Sequence, residues 1–94
     1  MGKTKALNKK EDGCYLCGSH EMLELHHCIF GRANRKLADE DGLCVWLCHK
    51  HHNTPEGVHY RPQMKQYFQA LAQMEYEKTH THEEFMARYG RNYI

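Results

Sequence analysis

Leu47-Cys48-His49-Lys50-His51-His52-Asn53 decides how this chain is read, because it sets one thiol and three imidazoles in a single short run. Cys48 and His51 stand three positions apart, and Cys14-Tyr15-Leu16-Cys17 offers two thiols at the same separation. Tetrahedral zinc takes four sulfur and nitrogen ligands of this kind. The intervening residues 18–47 exceed the gap of a simple finger and leave room for a strand, a loop and a second strand. A lone CxxC is equally a redox pair, but two matched pairs point to a structural zinc ion on Cys14, Cys17, Cys48 and His51. His49 and His52 stand as alternatives for the fourth ligand. Cys28 and Cys44 fall outside the spacing, and Cys44, within an apolar run, reads as a small buried hydrophobe.

A staple is what a chain of this size needs. It has 94 residues, of which 40% are hydrophobic, and its mean hydropathy is −0.87. One small domain with so little apolar surface has a core of marginal stability. The odd count of five cysteines argues against a complete disulfide framework. The start, MGKTKALNKKEDG, lacks the apolar segment of a signal peptide, and no run is long enough to span a membrane. A reducing, cytoplasmic setting is therefore expected, where clustered cysteines mean metal more often than disulfides. Net charge is only +1, which excludes a general polycation. Lysines 3, 5, 9 and 10 and the group Arg32, Arg35 and Lys36 are nonetheless local basic clusters suited to a polyanion.

Outward from the two ligand pairs, residues 1–12 read as a flexible basic tail and 13–94 as one domain. Met22–His26 alternates and suits a strand. Residues 28–42, with Gly31, Asn34 and Gly42 among charges, read as a long irregular loop. Leu43–Leu47 reads as a second, more apolar strand, and Cys48–Asn53 as the start of a short helix limited by Pro55 and Gly57. Pro62 suits a first helical position. Behind it Met64, Tyr67, Phe68, Leu71 and Met74 recur at helical spacing as a core stripe, with Gln63, Gln66, Gln69 and Gln73 opposite. Thr81 and Glu84 fit a capping box, Phe85, Met86 and Tyr89 form an apolar face, and Gly90 is a stop. The expected fold class is α+β.

The order Cys14-x-x-Cys17, Leu25-His26-His27, Leu47-Cys48-x-x-His51 and His52 resembles the HNH endonuclease (ββα-metal nuclease) family over about residues 14–53. Gly31-Arg32-x-Asn34-Arg35-Lys36-Leu37 and Gly57-Val58-His59 are similar to its small phage and prophage members. The resemblance implies a zinc-stapled, treble-clef-like ββα core with two further helices, encoded by a phage or prophage and working in the bacterial cytoplasm. It implies His26 and His52 as ligands of a catalytic divalent ion (Mg²⁺, Mn²⁺, Ni²⁺ or Zn²⁺) and His27 as general base. His59 becomes a third ligand or a phosphate contact. The expected partner is double-stranded DNA, met by Arg32, Arg35, Lys36 and Lys50, and the expected products are 5′-phosphate and 3′-hydroxyl ends. One position departs from the pattern: Leu43 stands where the family has its middle Asn, and Asn34 is the candidate to brace the loop in its place.

The chemistry needs these residue types whatever the family. Phosphodiester hydrolysis requires a deprotonated water, neutralised charge at phosphorus and help for the leaving oxygen. Histidine titrates near neutrality and can accept the proton of water. The rival from another class is a noncatalytic zinc module that binds nucleic acid through the same knuckle and basic residues. A redox or metal-storage protein would explain the CxxC but not the His26-His27 doublet. His20, His49, His80 and His82 lack such context and read as surface.

Overall fold

The computed structural model describes residues 6–94. Lys3 and Lys5 lie outside the described residues, as does the side chain of Arg32. The fold is α+β, and among the described residues it has one two-stranded antiparallel sheet and four α-helices. Strand β1 (Leu23–His27) pairs with β2 (Cys44–Cys48), with Leu23 opposite Cys48, His26 opposite Val45 and His27 opposite Cys44. Both strands sit one residue later than their apolar runs suggest. Side chains alternate across a strand, so Glu24, His26, Val45 and Leu47 share one face while Leu25, His27, Cys44 and Trp46 share the other.

The irregular loop expected over 28–42 is overturned, because Arg32–Asp41 is a helix, α1. Its inward positions are Asn34, Leu37, Ala38 and Asp41, which follow the helical spacing of i, i+3, i+4 and i+7. Two of the four are polar, which hides the periodicity from an apolar count. Glycines stand at both ends, Gly31 before the first turn at φ 110° and Gly42 after the last, whose left-handed backbone (φ 73°) lets its N–H cap the Ala38 and Asp39 carbonyls. α1 is held to the C-terminal helix by polar contacts. Arg88 Nε donates to Asp41 Oδ2 at 2.6 Å, Tyr89 Oη donates to the same oxygen at 2.6 Å, and Asn34 Nδ2 donates to the Tyr89 carbonyl at 3.3 Å. Asn34 thus braces α1 on the last helix and not the histidine doublet.

Helix α2 (His49–Asn53) continues directly from β2. After it the chain doubles back through Gly57, where a Cβ would stand 2.7 Å from the His51 carbonyl carbon and 2.8 Å from the His52 nitrogen. Only glycine permits that approach, and it delivers the 3₁₀ turn Val58–Tyr60 beside α2. Helix α3 (Pro62–Tyr76) then crosses the His26 face of the ribbon, and α4 (His82–Tyr89) packs on the end of α3. Phe68, Val58, Ile29, Leu47, Val45 and Phe85 are fully buried in one continuous core. The Thr81–Glu84 capping box forms in both directions, at 3.0 and 2.7 Å. No described helix is long and apolar enough to cross a membrane.

Two further expectations are corrected. The packed domain begins by Leu7, not at residue 13. The Leu7 amide donates to the Cys44 carbonyl at 2.7 Å, Asn8 exchanges hydrogen bonds with the Trp46 backbone, and Lys10 lies over the Trp46 ring. The inward face of α3 is also rotated from the expected stripe. Tyr67 and Met74 are exposed, while Ala72, Gln73 and Tyr76 are buried. Gln73, expected on the outer face, is completely buried and ties down the C-terminal segment. Its Oε1 accepts from the Tyr93 amide at 2.6 Å, and its Nε2 donates to Asn92 Oδ1 and Glu77 Oε2, both at 2.8 Å.

Gln73→Met keeps the volume but removes the amide that the Tyr93 N–H, Asn92 and Glu77 bond to. It is expected to cost roughly 1–3 kcal/mol, read as a lower urea midpoint, and to speed hydrogen exchange at the Tyr93 amide. An unchanged midpoint together with unchanged exchange would contradict this role.

Candidate metal centres

The ligand pairs meet. Cys14, Cys17, Cys48 and His51 bring their ligand atoms within 4.8 Å of one another. Cys14 and Cys17 sit on a knuckle closed by the Gly18 amide donating to the Cys14 carbonyl at 2.8 Å, and the Tyr15 amide clasps that knuckle to the Trp46 carbonyl of β2 at 2.9 Å. Cys48 ends β2, and His51 stands one helical turn on in α2, with its Nδ1 3.2 Å from Cys48 Sγ and 3.8 Å from Cys14 Sγ. Cys17 Sγ and Cys48 Sγ are 3.7 Å apart. A tetrahedral site with metal–sulfur bonds near 2.3 Å has edges of about 3.8 Å, so the separations are those of a coordination tetrahedron. Burial pushes the Cys14 thiol up, but backbone amides of Cys48, Cys17 and Leu16 together outweigh it and hold the group at about 6, whereas burial and the neighbouring thiols push Cys48 up. One thiolate is favoured, and further thiolates so close together need a cation. The cluster is therefore a Cys₃His set able to hold a metal ion such as zinc.

A second cluster lies on the other side of α2. His26 of β1, His52 of α2 and His59 of the 3₁₀ turn converge within the same 4.8 Å limit, with ring centroids 5.3, 5.3 and 4.6 Å apart. Consecutive residues of a helix point about 100° apart, which is why His51 serves the thiols and His52 this cluster. Glu24, on the same face of β1 as His26, fixes His52. Its carboxylate lies 2.7 Å from His52 Nδ1, 3.1 Å from His49 Nδ1 and 2.8 Å from Asn53 Nδ2. The His52 hydrogen bond, aided by those of His49 and Asn53, holds Glu24 below the usual carboxylate range. An ionised carboxylate only accepts, so His52 Nδ1 carries the proton and its Nε2 presents a lone pair. That Nε2 faces His59 Nε2 at 2.9 Å. Two imidazole nitrogens bound side by side at near 2.1 Å to an octahedral ion would stand about 3.0 Å apart.

The third member carries the most information. His26 is 2% exposed, packed against Phe68 and Phe30, and its Nε2 has no hydrogen-bond partner among the described residues. Burial pushes its imidazole down to about 3, with the charges of His52, His59 and His27 adding to the effect. Burial and His52 also push His59 down. A neutral imidazole with an unsatisfied buried nitrogen is costly unless something meets that nitrogen. A divalent ion among three imidazoles fits that need, and the Glu24–His52 pair is the kind of outer hydrogen bond that orients a ligating histidine.

His27 stands apart from the three ligands but lines the same cleft, of about 270 Å³, with Leu25, His26, Phe30, Arg35, His52 and His59. Its Nε2 is 3.3 Å from Asp39 Oδ1 of α1. Arg35 stands at the cleft, and Lys36 lines the adjoining groove with His27 and Asp39. Lys50 does not join them. It lies beside the Cys₃His cluster and pairs with Glu56 at 3.8 Å. His49 and His82, expected as surface, are half-exposed and pair there with Glu24 and Glu77, and His80 stacks on Tyr76. Leu43, at the place of the family's Asn, is buried and accepts from the Cys28 amide. Sequence reasoning missed Glu24, Asp39 and Lys65, which lies over the Phe30 ring at the rim. Glu24 was within reach, being two residues before His26 on a strand. Asp39 was not, because its helix was read as loop.

Scans against family models, curated proteins and solved structures give no match.

Protein purified without chelator is expected to carry one tightly held metal ion per chain, and Cys48→Ala is expected to abolish both the ion and the folded state. Structural zinc contributes on the order of 10 kcal/mol in small domains, more than a core of this size can lose. A well-folded, metal-free sample by elemental analysis and circular dichroism would overturn the staple.

Proposed function

We propose that this chain is a metal-dependent DNA endonuclease or nickase of the HNH type, with a zinc-stapled ββα core of treble-clef character. The observation that carries the reading is the convergence of buried His26, whose Nε2 has no hydrogen-bond partner among the described residues, with His52 and His59 at a cleft whose wall includes His27 and Arg35. In this reading zinc occupies Cys14, Cys17, Cys48 and His51, and His26, His52 and His59 hold the second ion. That ion, when bound, supplies Lewis-acid neutralisation of a non-bridging oxygen and of the leaving 3′ oxygen.

The chain's own residues do the rest. Glu24 keeps the proton of His52 on Nδ1, so its Nε2 stays free to ligate. Asp39 does the corresponding work for His27 by accepting from its Nε2–H. The lone pair then lies on Nδ1, and it is Nδ1 of His27 that takes the proton from the attacking water. Asp39 thus does the orienting that the family's middle Asn is expected to do. Arg35 at the cleft and Lys36 in the adjoining groove are placed to hold phosphates flanking the scissile one. A noncatalytic zinc module needs none of this. It would bury His26 without a partner and spend Glu24 on aiming an idle imidazole.

The test is nicking of supercoiled plasmid by metal-stripped, zinc-retaining protein with Mg²⁺, Mn²⁺ or Ni²⁺ added back. His27→Ala is expected to fold, bind DNA and take up the second ion, yet lose turnover by roughly two to four orders of magnitude, the usual worth of a general base. His26→Ala loses turnover through metal affinity, so excess Mn²⁺ recovers part of it. Glu24→Gln is expected to weaken the second ion by roughly 10–100-fold while leaving zinc in place. Wild-type cutting rates in both His26→Ala and His27→Ala would move the active centre elsewhere, and no nicking by wild type under any metal would favour the noncatalytic module.

A further inference from the structure

Cys44 has no part in the proposed hydrolysis, yet it stands directly across the ribbon from His27. Opposed residues of an antiparallel pair project to the same side with Cβ atoms about 4.5–5.5 Å apart. α1 lays Asp39 over this pair, so that a His27 ring nitrogen, an Asp39 carboxylate oxygen and Cys44 Sγ all lie within 4.8 Å of one another. The sulfur is fully buried, and its one polar contact is a long one, 3.8 Å, to the Ala38 carbonyl. The mouth of the cluster is open, since the Asp39 side chain is 60% exposed and Arg35 and Lys36 line the groove in front of it.

We propose that His27, Asp39 and Cys44 form a third metal site, selective for a thiophilic divalent ion such as zinc, and that filling it silences the protein. A thiolate, an imidazole and a carboxylate are three of the four ligands of a tetrahedral zinc site. The thiolate discriminates against magnesium and manganese, which prefer oxygen. Binding releases the Cys44 thiol proton to solvent and involves no change of oxidation state. The solvent-exposed Asp39 carboxylate is the member free to rotate inward and close the ligand set. The fourth position faces the groove, where water or a phosphate beside Arg35 and Lys36 completes the shell. The ion takes a ring nitrogen of His27 and draws Asp39 off it, so the imidazole no longer serves as proton acceptor. The silencing rests on the reading of His27 as general base, but the metal site does not. An ion at His26, His52 and His59 would support cutting, and zinc on Cys44 would stop it at a separate place.

The sulfur content of the sites makes them separable. Protein retaining one zinc per chain, confirmed by elemental analysis, is titrated with Co²⁺. The three-imidazole cluster contains no sulfur, so with the zinc content shown to be unchanged through the titration a near-ultraviolet sulfur-to-cobalt charge-transfer band reports Cys44. Wild type is expected to develop that band to saturation. Cys44→Ala is expected to lose it while keeping the visible ligand-field absorption of cobalt on imidazoles, and His26→Ala to keep it. Asp39→Asn, a change at an exposed side chain that leaves folding intact, should shift its midpoint at least ten-fold to higher cobalt. In parallel, micromolar zinc is expected to inhibit Mn²⁺-supported nicking by wild type and not by Cys44→Ala. No charge-transfer band in zinc-retaining wild type, or a band that survives Cys44→Ala, would overturn the site. If the band behaves as expected but wild type never nicks DNA, the site stands and the nuclease reading falls.

Discussion

Everything in this small domain hangs on the convergence of three thiols and one imidazole between the Cys14–Cys17 knuckle and the junction of β2 with α2. A two-stranded ribbon is marginal by itself, and a helix as short as His49–Asn53 does not hold in water without tertiary support. Cys14, Cys17, Cys48 and His51 meet at the one point where strand becomes helix, where a metal ion could join the two. Once that junction is fixed, the direction of α2 is fixed, and with it the position of His52. Gly57 then brings His59 back over the same helix, and β1, paired to β2, carries His26 into place from below. The two clusters are the two sides of one short helix, so loss of the first removes the scaffold of the second.

The interior contains two buried polar side chains among the described residues, and they differ in an instructive way. Gln73 is saturated: both ends of its amide are hydrogen-bonded, and its role is to pin the C-terminal segment. His26 is equally buried and has a bare Nε2. Burying polar groups with partners is ordinary architecture, whereas burying one without a partner costs stability with no structural return. The surroundings of His26 sharpen the contrast. Glu24 forces the neighbouring His52 to present a lone pair toward the same point, and burial keeps His26 uncharged. Three neutral imidazoles gathered at one point, one of them with a buried nitrogen that meets no partner among the described residues, are the kind of set a divalent cation would hold together.

Ligand spacing was the legible part of the sequence. Cys14, Cys17, Cys48 and His51 come together as their separations require, and His52 and His59 lie beside His26. Strand positions were legible to within a residue, because alternation fixes a face better than an end. What failed did so where polar residues face inward. α1 hides because Asn34 and Asp41 occupy inner positions and spend their polarity on Tyr89 and Arg88. The α3 stripe came out rotated because an apolar count placed Tyr67 and Met74 inside and Gln73 outside. The structure buries Gln73 and exposes both apolar residues. Glu24 and Asp39, the carboxylates that orient the two catalytic candidates, have no spacing rule of their own. They become visible only when the helices they contact are in place.

The most direct measurement is anomalous diffraction from crystals of the zinc-loaded protein soaked with Mn²⁺, recorded at the zinc and manganese edges. Zinc is expected between Cys14, Cys17, Cys48 and His51, and manganese between the imidazoles of His26, His52 and His59. A manganese peak bound outside the cleft, or a fully zinc-loaded crystal in which His26 Nε2 meets no ion at saturating Mn²⁺, would contradict the reading of this cleft as a metal-dependent active centre.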